Sequence, residues 1–189
     1  SLGNERILAR RTDFAALATA VARLHSRAPA LPLSSSEPFH IYEQPAAAAL
    51  LRRLDFLLVN VHPLFQPWFR GAADAKSAQF VVNVTGDLVD RFCGPILVKE
   101  TGLPSAPADA GFSPARQASF YRELRRRFPA TSTRAFAYFS AFDAPWRAWD
   151  ESPVAATTAG AGAHLEEANF GLYDSERRPK PAASELPPL

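Results

Sequence analysis

Two apolar runs constrain this chain more than any other feature: Asp55-Phe56-Leu57-Leu58-Val59-Asn60-Val61 and Pro95-Ile96-Leu97-Val98-Lys99. Neither alternates apolar with polar residues, as a strand with one wet face would. Each reads as a strand buried on both sides, which is the habit of parallel sheets covered by helices. Between such runs lie segments with a helical period. Thr12 is placed to cap a helix running through Arg27, with Asp13 in its first turn and Phe14, Leu17, Val21 and Leu24 on one face. Pro45 to Leu54 and Ala72 to Phe92 read as further helices. Ser113 caps another, with Pro114 at its first position, running to about Phe128. Three more strands are expected at Ser1 to Asn4, Leu31 to Ser35 and Arg134 to Ser140. An irregular stretch follows, with a short segment at Asn169 to Tyr173, then a Pro-rich tail. The small, apolar stretch Pro153 to Ala163 reads as a flexible loop.

Strand and helix in alternation predict an α/β fold with a parallel sheet. The strand starts give repeats of about 24 to 40 residues, normal for βα units. A closed eightfold barrel needs about 250 residues. This chain has 189 and five predicted strands. The expectation is an incomplete (β/α)8 TIM barrel, strands four to eight, with the first three absent. The chain does not begin with Met, and its first residues read as the inside of a strand, so the true N-terminus is expected to be missing. Residues 1–176 are assigned to the partial barrel and residues 177–189 to the Pro-rich tail.

Composition excludes several classes. Apolar residues make up 47% of the chain, enough for a packed core rather than disorder. The net charge is +2, with scattered arginines matched by acids, so no nucleic-acid partner is implied. Arg125-Arg126-Arg127 reads as a solvated helix face. There is no apolar run long enough to span a membrane. The one cysteine, Cys93, and the spread of the four histidines give no disulfide framework and no metal-ligand spacing. No Gly-rich phosphate loop is present, and no cofactor is implied.

Barrels of this kind carry chemistry at the C-terminal ends of their strands. Glu5, Glu37, His62, Glu100 and Asp143 each follow one of the five predicted strands. Glu5 and Glu100 form a pair of the kind that hydrolyses a glycosidic bond, where one carboxyl donates a proton and the other attacks carbon. Taken one at a time, each residue also has a plain structural reading. Glu5 is then a frayed terminal residue, Glu100 an exposed turn residue, Glu37 a solvated loop carboxylate and His62 a packing histidine.

The flanking motifs resemble glycoside hydrolase family 17, the β-1,3-glucanase family, in its bacterial branch. Its Gly-Asn-Glu acid/base motif is similar to Gly3-Asn4-Glu5, and its Glu-Thr-Gly-Trp-Pro-Ser nucleophile motif to Glu100-Thr101-Gly102-Leu103-Pro104-Ser105. Asn-x-Tyr-Pro-Tyr-Phe is matched by Asn60-Val61-His62-Pro63-Leu64-Phe65, and Phe-Asp-Glu-x-Trp-Lys by Phe142-Asp143-Ala144-Pro145-Trp146-Arg147. The closing motif corresponds to Glu167-Ala168-Asn169-Phe170-Gly171-Leu172, with Lys180 beyond. Four positions depart from the pattern: His62 for Tyr, Leu103 for Trp, Ala144 for Glu and Arg147 for Lys. The pair Glu5 and Glu100 is intact.

The resemblance implies a retaining glycoside hydrolase acting on β-1,3-glucan or gluco-oligosaccharides through a glucosyl-enzyme intermediate. Glu100 is the implied nucleophile and Glu5 the acid/base. Asn4 is expected at the sugar 2-hydroxyl, His62 beside Glu100 or a sugar hydroxyl, and Glu37 and Glu167 at the substrate. Pyranose faces stack on aromatic rings, so Trp68, Phe69, Phe142, Trp146 and Trp149, all in loops after strands, are candidate sugar platforms. For each of these rings loop packing is the alternative. Two other functions share these residues: a β-1,3-glucan transglycosylase, and a non-catalytic glycan-binding or inert fragment of such an enzyme. A periplasmic, extracellular or membrane-associated location fits the family.

Overall fold

The computed structural model describes residues 1–149 and 164–187. The predicted loop from Pro153 to Ala163 lies outside the described residues. In chain order the elements are α1 (Phe14–Arg27), β1 (Ser36–Pro38), α2 (Phe39–Tyr42), α3 (Ala48–Leu51), β2 (Leu57–Asn60), α4 (Asp74–Val89), β3 (Ile96–Thr101), α5 (Pro114–Arg127) and β4 (Arg134–Tyr138). The strands form an α/β parallel sheet in sequential order, β1-β2-β3-β4. Its register is set at one end by Ser36 beside Leu58 and Pro38 beside Asn60.

Where five strands are predicted, four form among the described residues. Ser1 to Asn4 is reduced to a single parallel bridge, Asn4 to Ser36. The Leu2 N–H still donates to Ser34 O at 2.8 Å, and Glu5 N–H to Ser36 O at 2.8 Å. Pairing stops there because Glu5 takes a left-handed backbone, with φ of 52°. In place of the strand expected at Leu31 to Ser35, the strand forms just beyond it, at Ser36–Pro38. The helix expected from Pro45 to Leu54 is a 3-10 turn, Pro45–Ala47, followed by the short α3.

Chain contacts define two compact units. The first comprises Ser1–Val61, Asn83–Lys99 and Ala130–Ala137. It holds the sheet apart from the last residues of β3 and β4. Its α1 is capped by Asp13, whose carboxylate accepts from Ala16 N–H at 2.8 Å, rather than by Thr12. Leu17 and Val21 on α1, Leu50 and Leu51 on α3, and Leu57 and Val59 on β2 build its core. β2 is buried along its whole length, as its apolar run predicts. β3 alternates, with Ile96 and Val98 buried and Leu97 and Lys99 half-buried. β4 is half-exposed throughout.

The second unit comprises His62–Val82, Glu100–Pro129 and Tyr138–Leu189. Its buried residues include Phe120, Tyr121 and Leu124 of α5, all fully buried, and Leu103, Phe112, Phe170 and Leu172. α5 begins as predicted: Ser113 accepts from Arg116 N–H at 3.1 Å, and Pro114 fills the first turn. The Pro-rich tail folds onto this helix as a 3-10 turn, Pro181–Glu185, with Ala182 fully buried.

Candidate active site

The sequence-predicted residues fall into two clusters, one in each unit. In the first unit the turn after Asn4 is held from two sides. Ser36 O takes the Glu5 N–H. Glu37, fully buried, accepts from Ile7 N–H at 2.8 Å and Leu8 N–H at 3.2 Å. Burial pushes the Glu37 carboxyl above its ordinary range. The backbone N–H groups of Ile7 and Leu8 oppose that, and Glu5, when ionised, adds to it. Glu37 therefore acts on the backbone that follows Glu5.

Side chains complete this cluster. Asn60, at the end of β2, donates from Nδ2 to Glu5 Oε1 at 2.8 Å and to Asn4 Oδ1 at 3.3 Å. Its own carbonyl accepts from the Ser36 hydroxyl at 3.1 Å. Lys99 Nζ donates to Asn4 Oδ1 at 2.8 Å. Sequence reasoning assigned no role to Asn60, Ser36 or Lys99. The available signal was Asn60 closing a buried run, since a polar residue at the end of an apolar strand needs a partner.

In the second unit β3 ends in Glu100 and Thr101. Gly102 follows because nothing larger fits: a Cβ there would run into Phe139 O and the Tyr121 hydroxyl. The Tyr121 hydroxyl donates to Phe139 O at 2.8 Å. Gln117, buried on α5, directs its amide nitrogen at the carbonyls of Leu103, Phe170 and Gly171, at 3.0 to 3.2 Å. One amide thus joins the loop after Glu100 to the closing motif. Leu103, where the resembled motif has Trp, is fully buried.

His62 stands beside Glu100, with Nε2 3.9 Å from Oε2. Phe65, Phe139 and Phe170 meet the imidazole edge-on at 5.4 to 5.8 Å. Nδ1 is buried and, among the described residues, has no hydrogen-bond partner. Arg147 lies 5.2 Å over Phe139 and pairs with Glu167 Oε2 at 3.0 Å. Asp143, the fifth polar residue at a strand end, accepts from Gly171 N–H at 2.8 Å and from Lys180 Nζ at 2.6 Å.

The aromatic candidates separate. Trp146 is 69% exposed and Trp149 75%, both on a 3-10 turn, Pro145–Trp149. Phe142 is half-exposed beside Tyr173. Trp68 carries Lys76 over one face at 4.6 Å and packs its edge against Phe80. Phe69 is not a platform: it is buried, stacked on Phe112 and covered by Arg116. Among the described residues no group of three or more His, Cys, Asp or Glu could hold a metal ion, and no helix is long and apolar enough to cross a membrane.

The chain matches no protein-family model and no curated protein sequence. Solved structures do match. One is a glycoside hydrolase family 17 β-1,3-glucanosyltransferase from Rhizomucor miehei, at 24% identity and a TM-score of 0.69. An active-site mutant of the Rhizomucor miehei β-1,3-glucanosyltransferase in complex with laminaritriose matches at 22% and 0.68. Each match covers 95% of this chain and 60% of the other. An endo-laminarinase from a Formosa strain matches at 19% identity and a TM-score of 0.59, over 86% of this chain and 50% of that one. The chain thus spans 60% or less of the length of these enzymes. The resemblance to glycoside hydrolase family 17 holds at the level of the fold.

Proposed function

We propose that this chain is the C-terminal part of a retaining β-1,3-glucan-active glycoside hydrolase, carrying strands four to eight of its barrel in residues 1–176. The observation that carries the reading is the position of the two carboxylates in a fold shared with β-1,3-glucan-active enzymes. Glu5 follows the residue that bridges to β1, and Glu100 is the last but one residue of β3. Glu100 attacks the anomeric carbon and forms the bond to sugar as the glycosidic bond breaks. Glu5 gives its proton to the departing oxygen, then takes one from the incoming acceptor. The negative charge on Glu100 must persist for attack, and His62, 3.9 Å away, orients it. Asn4 holds the 2-hydroxyl, a contact that strengthens in the transition state. Trp146 and Phe142 are exposed rings, each with an arginine over one face, Arg147 and Arg177 at 5.9 Å, which leaves the other face for pyranose stacking. Trp68 offers the face opposite Lys76, and Glu167, fixed by Arg147, a hydroxyl contact.

The deciding experiment uses the full-length protein. Glu100→Ala should abolish turnover of laminari-oligosaccharides, and added azide should restore activity by replacing the lost nucleophile with formation of a glycosyl azide. Normal turnover by Glu100→Ala would remove the nucleophile assignment. Transfer to a sugar acceptor is the second reading, favoured by the fold match to a glucanosyltransferase. Longer glucans among the products mark transfer, and shorter ones alone mark hydrolysis.

A further inference from the structure

Asn60 is buried, 2% exposed, so its amide must find all its partners inside the protein. It does: one N–H faces Glu5 Oε1, the other faces Asn4 Oδ1, and the carbonyl takes the Ser36 hydroxyl. Turned over, the amide would set its own oxygen against two acceptors. The partners therefore admit one orientation. Ser36 is itself 1% exposed on β1, so its hydroxyl is also committed.

This orientation has a consequence for Glu5. A carboxylic acid carries its proton on one oxygen. An N–H donated to Oε1 from 2.8 Å favours the carbonyl form of that oxygen, which accepts more strongly than a hydroxyl oxygen does, and so favours the proton on Oε2. We propose that Asn60, oriented by Ser36, is a positioning residue that keeps the acid proton on Oε2 of Glu5 and aims that oxygen at the scissile bond. The proposal rests on the reading of Glu5 as the acid/base. When Glu5 acts, the Oε2–H bond breaks and the leaving glycosidic oxygen takes the proton. The electron pair stays on the carboxylate, whose other oxygen already has a donor. The backbone supports the same outcome. Glu5 is a non-glycine residue at a left-handed φ of 52°, a conformation that persists only where its surroundings over-determine it. Ser36 O holds its N–H, Glu37 holds the turn after it, and Asn60 holds its side chain.

The test compares two substrates in the full-length protein. A laminari-oligosaccharide has a poor leaving group and needs the proton; a dinitrophenyl glycoside of laminaribiose does not. Glu5→Ala is the reference and should lose kcat/KM on the first substrate while keeping much of it on the second, because kcat/KM reports the step that needs the proton and not the later attack by the acceptor. Asn60→Ala should lower kcat on the oligosaccharide by about tenfold to a hundredfold, the scale of a misplaced catalytic group, with little change in KM. It should leave kcat/KM on the activated substrate nearly untouched. Ser36→Ala, which removes one oxygen, should act in the same direction with a smaller effect. Equal losses on both substrates would mean that Asn60 is merely structural and would overturn the proposal. So would no loss on either while Glu5→Ala shows its leaving-group dependence; in that case the acid/base assignment survives. If Glu5→Ala itself shows no such dependence, the acid/base reading falls first. Should Asn60→Ala not fold, the substrate ratio of Ser36→Ala decides.

Discussion

Lys180 reaches from the C-terminal tail to Asp143, with Nζ 2.6 Å from Oδ1, and both side chains are nearly out of solvent. The same ammonium donates to the Ser105 hydroxyl at 2.7 Å, and Asp143 takes the Gly171 N–H. One ion pair thereby ties the tail to the loop after Glu100 and to the closing motif. Removing a single partner leaves a charge without compensation. Lys180→Met should cost about 3 kcal/mol in urea unfolding, and Lys180→Met with Asp143→Asn should recover part of that loss. A double variant no better than the single one would show that the pair is not the source of the stability.

Gly102 is where the second unit tolerates no side chain. The atoms a Cβ would meet are the Phe139 carbonyl and the Tyr121 hydroxyl, and neither is the loose end of a flexible chain. Gly102→Ala should destabilise by about 3 kcal/mol, the upper part of the overpacking range. It should also reduce turnover by displacing Glu100. Thermal unfolding indistinguishable from wild type would contradict the close approach.

Glu37 supplies a pH dependence whose sign follows from its burial. Its folded-state value is raised, chiefly by desolvation, above an unfolded value of about 4.3. A raised carboxyl contributes stability that is fully present below the unfolded value. That contribution is lost as pH rises through the folded one. Measured against Glu37→Gln, wild type should therefore lose relative stability from acid to neutral pH. A gap that widened with pH would mean that the ionised form is the one the turn prefers.

Local signals were legible in the sequence wherever a hydrogen bond closes within a few residues. Ser113 and Pro114 announce α5 because a cap and a preset φ act inside one turn. The continuous apolar run announces β2 because a strand covered on both faces has no use for polar residues; the second run marks β3, which forms but alternates buried with half-buried residues. The motifs around Glu5 and Glu100 were readable for the same reason, as short strings with fixed spacing. Even at short range one competition was undecidable: Thr12 and Asp13 are both good caps, and the chain's path let Asp13 reach Ala16.

Only the tertiary structure decided what the polar residues do, because their partners lie far away in sequence. Glu5 meets Asn60 across 55 positions, Ile7 meets Glu37 across 30, and Asp143 meets Lys180 across 37. None of these spacings has a period that a sequence can display. The first two exist because β1 and β2 pair in one register, setting Ser36 beside Leu58 and Pro38 beside Asn60. A shift of one residue would turn every side chain of β1 to the opposite face. Glu37 therefore became a buried anchor for the Glu5 turn rather than a loop carboxylate; Phe69, stacked on Phe112 and covered by Arg116, became a core residue rather than a platform. Burial is a property of the assembled sheet and helices, and it fixes which polar atoms must find a partner.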